Sequence, residues 1–331
     1  MQKTQIIAEI GVNHNGNLKL AKKMIKSAAA CGADIVKFQT FKTENLVKSS
    51  LSKAKYQKIN TNKNENQFEM LKKLEIPEKF YPEILKECKK NKVEFLSSAF
   101  DLESLKLLLS LKIRKIKIPS GEITNLPYLE YIQNIKLPII LSTGMSNIRE
   151  IEDAIKILQK KNKKIILLHC NSEYPTPYDD VNLKAMVEMG KIFNLNYGYS
   201  DHTSGIEVPI AAVALGASVI EKHFTIDRSL PGPDQKSSLE PNDFREMVIK
   251  IRNIEKSLGK KIKKASRSEI KNKIYVRKSI IAKKEIKIGE KFTKENIAAL
   301  RPGSGISPMK WYKVIGKISN KNYKKNQLIK L

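Results

Sequence analysis

A chain of 331 residues with 41% hydrophobic content is too long for one ordinary small domain and can bury a sizeable core. Its formal charge of +28 invites a nucleic-acid reading, but only eight of the 62 basic residues are arginine, and the lysines are spread along the whole length beside many Asn and Ile, so they read as solvated faces rather than a phosphate-reading surface. No apolar run reaches the ~20 residues of a membrane span, residues 1–9 lack a signal-peptide pattern, and the dispersed Cys31, Cys88 and Cys170 suit a reducing compartment, so a cytoplasmic protein without nucleic-acid or membrane partners is expected.

Along the first ~260 residues, short β-branched runs alternate with amphipathic stretches, the pattern of βα units around a parallel sheet. Strands are predicted at 5–10, 34–40, 93–98, 115–119, 138–143, 164–169, 196–200 and 218–223, with helices at 18–31, 102–111, 147–160 and 206–215 among those between them. The expected fold is therefore α/β, a (β/α)8 TIM barrel. Residues 42–73 form an unusually long, lysine-rich connection after the second strand, of the kind that serves as a functional lid or a flexible excursion. Past Gly259 the pattern changes, and the expected organisation is a barrel over 1–262, a charged linker over 263–274 and a compact second domain over 275–331. Turn signals at 287–289 and 302–305 punctuate that domain.

Each predicted strand ends in polar residues. Glu9 closes the first strand, Lys37 and Gln39 the second, Ser97-Ser98 the third, and Lys117 with Ser120-Gly121-Glu122 the fourth. Ser142-Thr143-Gly144 follow the fifth, His169, Asn171 and Tyr174 the sixth, Ser200-Asp201-His202 the seventh, and Glu221 with His223 the eighth. In a (β/α)8 barrel the C-terminal strand ends converge on one mouth, where active sites form. Eight such ends in register point to one site.

Two of the four histidines, His202 and His223, close adjacent strands, and imidazole is a good ligand for Mn²⁺, Co²⁺ or Zn²⁺. His14 is the weaker candidate, suited to ordering the Asn-Gly turn, and His169 would support the site from behind. Lys37 and Lys117 fall at interior-facing strand ends, where a buried ammonium requires a bound anion or a carboxylate such as Glu122. The hydroxyls of Ser120 and Ser142, beside Gly121 and Gly144, suit a phosphate. A structural Lys–Glu pair is the alternative reading of the same residues.

These residues resemble the sialic acid synthase family. The matching motifs are Ala8-Glu9-Ile10-Gly11 with Asn13-His14-Asn15-Gly16, Val36-Lys37-Phe38-Gln39, Lys117-Ile118-Pro119-Ser120-Gly121-Glu122, and Leu141-Ser142-Thr143-Gly144-Met145. They continue through His169-Cys170 with Tyr174-Pro175-Thr176-Pro177, Ser200-Asp201-His202-Thr203, Glu221-Lys222-His223-Phe224-Thr225, Gly232-Pro233-Asp234 and Arg301-Pro302-Gly303. The tail resembles the antifreeze-like SAF domain. The resemblance implies a domain-swapped homodimer in which each tail reaches the partner's barrel. It also implies a divalent metal on His202 and His223, Mn²⁺ with Mg²⁺ or Co²⁺ as alternatives. Phosphoenolpyruvate would sit on Lys37, Ser98, Lys117, Ser120, Ser142 and Ser172, and an N-acetylated amino sugar on Glu9, Gln39, Tyr174, Asp234 and Arg301. The family's Ser-Thr-Pro-Phe-Asp is here Ser97-Ser98-Ala99-Phe100-Asp101, which keeps the hydroxyl of Ser98, and Gln235 stands where histidine is frequent.

The implied reaction joins the enol carbon of phosphoenolpyruvate to the sugar aldehyde. Glu122 and Glu221, with Lys117 and Tyr174, are the candidate catalytic groups. N-acetylmannosamine, giving N-acetylneuraminate, is the expected sugar; a 2,4-diacetamido-trideoxy-mannose, giving N,N'-diacetyllegionaminate by the same chemistry, is the alternative. A 3-deoxy-sugar-phosphate synthase would lack the tail, and a non-catalytic surface-binding protein would leave eight polar strand ends unexplained.

Overall fold

The computed structural model describes residues 3–61, 64–160 and 164–331. It divides into two compact units, one up to Gly259 and one from Lys260 to Leu331. In the first, eight parallel strands close into a barrel: β1 (Gln5–Gly11), β2 (Ile35–Thr40), β3 (Glu94–Ala99), β4 (Ile116–Ile118), β5 (Ile139–Ser142), β6 (Ile165–Cys170), β7 (Asn196–Asp201) and β8 (Val219–His223). Each lies within two residues of its predicted bounds.

Helices surround the barrel, and their starts follow from capping chemistry. Asn17, Asp101 and Asn147 each accept a backbone N–H in the first turn, and Asn147 with Glu150 forms a full capping box. Between strands and helices lies the main core, where Phe38, Tyr128, Tyr199, Phe224 and Phe244 are fully buried.

The other face of each strand looks into the barrel, and there the period of two places the site. Ile7, Ile35, Leu96, Ile140, Leu168 and Val219 form an apolar plug. Two residues further along those six strands stand Glu9, Lys37, Ser98, Ser142, Cys170 and Glu221. A polar layer thus lies directly on an apolar floor that seals one end.

The connection 42–73 carries three short helices, Thr43–Leu46, Lys55–Asn60 and Gln67–Lys72. Met70 and Leu74 pack with Val12 and Phe41 in a small core of their own, which ties the C-terminal end of the expected lid or excursion to the barrel unit. Residues 62–63 of that expectation lie outside the described residues.

In the second unit, β9 (Ser279–Ala282) and β10 (Ile297–Leu300) pair antiparallel over a core of Ile280, Ile286, Phe292, Val314, Tyr323 and Ile329. The predicted linker 263–274 is not extended chain. A helix, Arg267–Val276, runs through it, started by a capping box of Ser266 with Glu269. Its charged composition concealed the helix because all its residues are exposed, so no apolar stripe marks it.

Candidate active site

A cavity of about 160 Å³ opens at the C-terminal ends of the barrel strands. Glu9, Lys37, Gln39, Ser98, Lys117, Ser120, Ser142, Ser172, Tyr174, His202, Glu221 and His223 all line it. The strand register explains the convergence, since Glu9 stands opposite both Lys37 and His223, and Ser98 stands opposite both Gln39 and Lys117.

Two lysines and two carboxylates share this buried space. Lys37 Nζ lies 2.8 Å from Glu9 Oε2 and 3.5 Å from Glu221 Oε1, and donates to Ser98 Oγ at 3.1 Å. Lys117 Nζ donates to Ser142 Oγ at 2.5 Å and lies 3.8 Å from Glu221 Oε2. Glu221 also accepts from Ser200 Oγ at 3.0 Å, and Glu9 from Gln39 Nε2 at 3.1 Å. The carboxylates expected beside the lysines are therefore Glu9 and Glu221. Glu122 is not among the residues lining the cavity: it sits in a turn of 3-10 helix after β4 and accepts from Asn125 Nδ2 at 2.6 Å.

Burial and charge compete at each group. Burial pushes the Glu9 carboxyl up to about 7, although Lys37 opposes it. Burial would also raise Glu221, but Lys117 and Lys37 outweigh it and hold that carboxylate below its ordinary value. Burial lowers Lys117, and the like charge of Lys37 adds to the effect. Lys37 stays above its ordinary value because Glu221 and Glu9 together exceed the cost of its burial.

The two imidazoles lie at 5.5 Å between ring centroids. Burial brings His202 down to about 4 and His223 well below its ordinary value, so both are neutral, the form that ligates metals. His202 Nδ1 hydrogen-bonds the Asn171 carbonyl, which leaves Nε2 as the lone-pair nitrogen. His223 Nδ1 is buried and without a hydrogen-bond partner among the described residues. Two neutral imidazoles, one oriented by a carbonyl and one with an orphaned nitrogen, fit a divalent cation that takes its other ligands from water or substrate oxygens. Among the described residues, no third His, Cys, Asp or Glu completes a protein-only cage.

Ring stacking extends the wall of the site. Tyr174 lies against His202 at 4.1 Å and 26°, and Tyr56 lies behind Tyr174 at 5.1 Å and 28°. Tyr56 comes from the 42–73 connection and was not singled out from sequence; its only signal was an aromatic in a lysine-rich stretch. Phe100 and Met145 on the cavity wall were also missed as site residues. Asp234 is buried, and its carboxylate has no donor among the described residues, although its charge acts on both Tyr56 and Tyr174. His14 accepts from the Gly16 N–H through Nδ1 at 3.0 Å, ordering the turn, and His169 turns outward from the barrel to Val181 O. Arg301 belongs to the second unit, where its Nε donates to Val276 O at 3.0 Å.

Comparison with known proteins agrees with this arrangement. The NeuB family model matches residues 24–263, and the SAF domain model matches 277–331. An N,N'-diacetyllegionaminic acid synthase of Campylobacter jejuni is 53% identical over all of both chains. A second of that name, from Legionella pneumophila, is 46% identical over 94% of this chain and 89% of its own. Among solved structures, the N-acetylneuraminic acid synthetase of Leptospira borgpetersenii in complex with citrate matches with a TM-score of 0.72 and 35% identity, over 82% of this chain and 90% of that one. A closed parallel barrel with its polar layer at one mouth, a separate tail unit, and relatives matched along nearly their whole length lead to one conclusion: the chain belongs to the NeuB family, enzymes that synthesise acidic sugars, here carrying an SAF domain.

Proposed function

We propose that this enzyme condenses phosphoenolpyruvate with a 2,4-diacetamido-trideoxy-mannose and water to give N,N'-diacetyllegionaminate and phosphate. The observation that carries the choice of sugar is the 53% and 46% identity to two synthases of that product, against 35% to an N-acetylneuraminic acid synthetase. This reverses the expectation drawn from the motifs, which favoured N-acetylmannosamine. Motifs around the reacting atoms serve both sugars equally, and specificity turns on a few pocket groups.

In this reading, Lys37, Lys117, Ser98, Ser120, Ser142 and Ser172 bind the phosphate and carboxylate of phosphoenolpyruvate over the apolar plug. Gln39, Tyr174, Asp234 and Glu9 face the sugar. The enol carbon bonds to the aldehyde carbon, and the aldehyde oxygen takes a proton to become a hydroxyl. Water then adds at the carbon bearing phosphate, and cleavage of that C–O bond releases phosphate. Lys37 and Lys117 offset the charge on phosphate and carboxylate throughout, and Glu9 and Glu221 are the carboxyls within reach to move protons. A divalent cation on His202 and His223, Mn²⁺ in the first instance, would supply Lewis acidity and orientation at the aldehyde. The SAF tail would bring Arg301 to the sugar of a partner subunit in a swapped homodimer.

The product mass from purified enzyme with phosphoenolpyruvate, Mn²⁺ and each sugar in turn tests the reading. Efficient turnover of N-acetylmannosamine with none of the diacetamido sugar would overturn the choice. Exhaustive chelation should abolish turnover and Mn²⁺ restore it, while His202→Ala and His223→Ala remain folded but lose metal-dependent activity. Full activity after metal removal would refute the cation's role.

A further inference from the structure

One residue before each imidazole, on the side of the barrel away from the cavity, Asp201 and Lys222 stand opposite one another across β7 and β8. Neither has any solvent exposure. Lys222 Nζ donates to Asp201 Oδ2 at 2.5 Å and to the Thr203 carbonyl at 2.5 Å. Asp201 in turn accepts the Thr203 N–H on Oδ1 and the Thr203 hydroxyl on Oδ2, each at 3.0 Å. The carboxylate thus has three donors and the ammonium two acceptors, and they join the end of β8 to the turn that carries His202.

Stability does not account for this arrangement. Removing two charges from water costs about as much as their attraction returns, and well-packed apolar residues commonly replace such a pair without loss. What apolar residues do not reproduce is direction: the four bonds set the register and angle at which both strand ends leave the sheet. His202 is further held by the Asn171 carbonyl and by the Tyr174 ring stacked on it at 4.1 Å, whereas His223 meets Tyr174 only edge-on at 5.6 Å and its Nδ1 has no hydrogen-bond partner among the described residues. The direction of His223 therefore depends on its strand end.

We infer that Asp201 and Lys222 are positioning residues that hold the two imidazoles at the separation and mutual angle a divalent cation requires. The inference rests on the metal reading above. Partners hydrogen-bonded directly to metal-binding histidines are typically worth about 10- to 100-fold in metal affinity, and a pair acting through the strand ends that carry the histidines is expected at the lower end of that range.

The test uses the full chain with the apolar double variant Asp201→Leu/Lys222→Met. Binding of Mn²⁺ is followed by the loss of the free-ion paramagnetic signal, and binding of phosphoenolpyruvate by calorimetry without metal. The expected result is a cooperative thermal transition near that of the unmodified chain, phosphoenolpyruvate affinity within about 2-fold, and Mn²⁺ affinity at least 10-fold weaker. Mn²⁺ affinity unchanged in the folded variant overturns the inference. So does an equal fall in both affinities, which would mean that the pair supports the whole mouth. If the double variant does not fold, Lys222→Arg is measured in the same way: it keeps the charge but alters reach and geometry, and unchanged Mn²⁺ affinity there is equally fatal. His202→Ala and His223→Ala separate the two levels, because an unmodified chain binding Mn²⁺ no better than these variants overturns the metal reading itself.

Discussion

Asp234, proposed above to face the sugar, shows how one buried residue can lower stability at neutral pH. Burial without a donor raises its carboxyl from the ordinary 3.8 to about 6. Because the folded chain holds this proton more tightly than the unfolded one, the contribution of Asp234 to folding stability is fully present below about pH 4 and is lost as pH rises through about 6. The difference corresponds to as much as about 3 kcal/mol at neutral pH. Asp234→Asn is therefore expected to raise the melting temperature at pH 7 by several degrees, with little change at pH 4, while weakening sugar binding. A melting temperature that responds equally at both pH values would show that Asp234 has a stabilising partner. Lys37 follows the opposite logic, since Glu9 at 2.8 Å and Glu221 at 3.5 Å together outweigh the cost of its burial, whereas burial keeps Lys117 below its ordinary value.

Elements were legible wherever one physical rule decided them. All eight barrel strands could be read from composition, length and spacing, most of them as apolar runs because such strands are buried on both sides, with β7, Asn-Tyr-Gly-Tyr-Ser-Asp, the exception. Their polar ends could be read because charge at such positions has few structural uses. Glu122 was misplaced because sequence shows which residues end a strand but not which way a following turn points its side chains. The helix Arg267–Val276 escaped because exposure removes periodicity, and Tyr56 because the stretch around it is polar. The 42–73 connection nonetheless makes a measurable claim. Tyr56 supports Tyr174 from behind at 5.1 Å, and aromatic pairs contribute about 0.5–1.5 kcal/mol beyond their burial, or about 2- to 10-fold in affinity. Tyr56→Ala should raise the KM for the sugar by that factor and leave the KM for phosphoenolpyruvate unchanged, while Tyr56→Phe keeps the ring and should behave as the unmodified enzyme. If both KM values rise together in Tyr56→Ala, the connection supports the mouth as a whole rather than the sugar's side of it.

At the scale of the whole molecule, the chain separates into a barrel unit that contains both histidines and both lysines of the site and a tail unit that contains Arg301. The buried lysines, carboxylates and imidazoles thus all lie in one unit, and the tail has a guanidinium whose inner nitrogen is engaged by its own unit. A planar fork suits sugar hydroxyl and acetamide oxygens, so the proposed role is closure of a site on a second copy. The exchange of subunits can decide this. Arg301→Ala and His223→Ala chains are each expected to be nearly inactive alone. In a swapped dimer containing one of each, the first chain supplies an intact barrel and the second an intact arginine to the same site; the other site carries both defects. Random exchange of equal amounts makes half the dimers mixed, each with one of two sites restored, so activity should return to about a quarter of the unmodified level. If the arginine served its own barrel, every site in a mixed dimer would keep one defect and nothing would return. Mass spectrometry of the mixture establishes that exchange has taken place, so silence after confirmed exchange assigns Arg301 to its own chain or to no site at all.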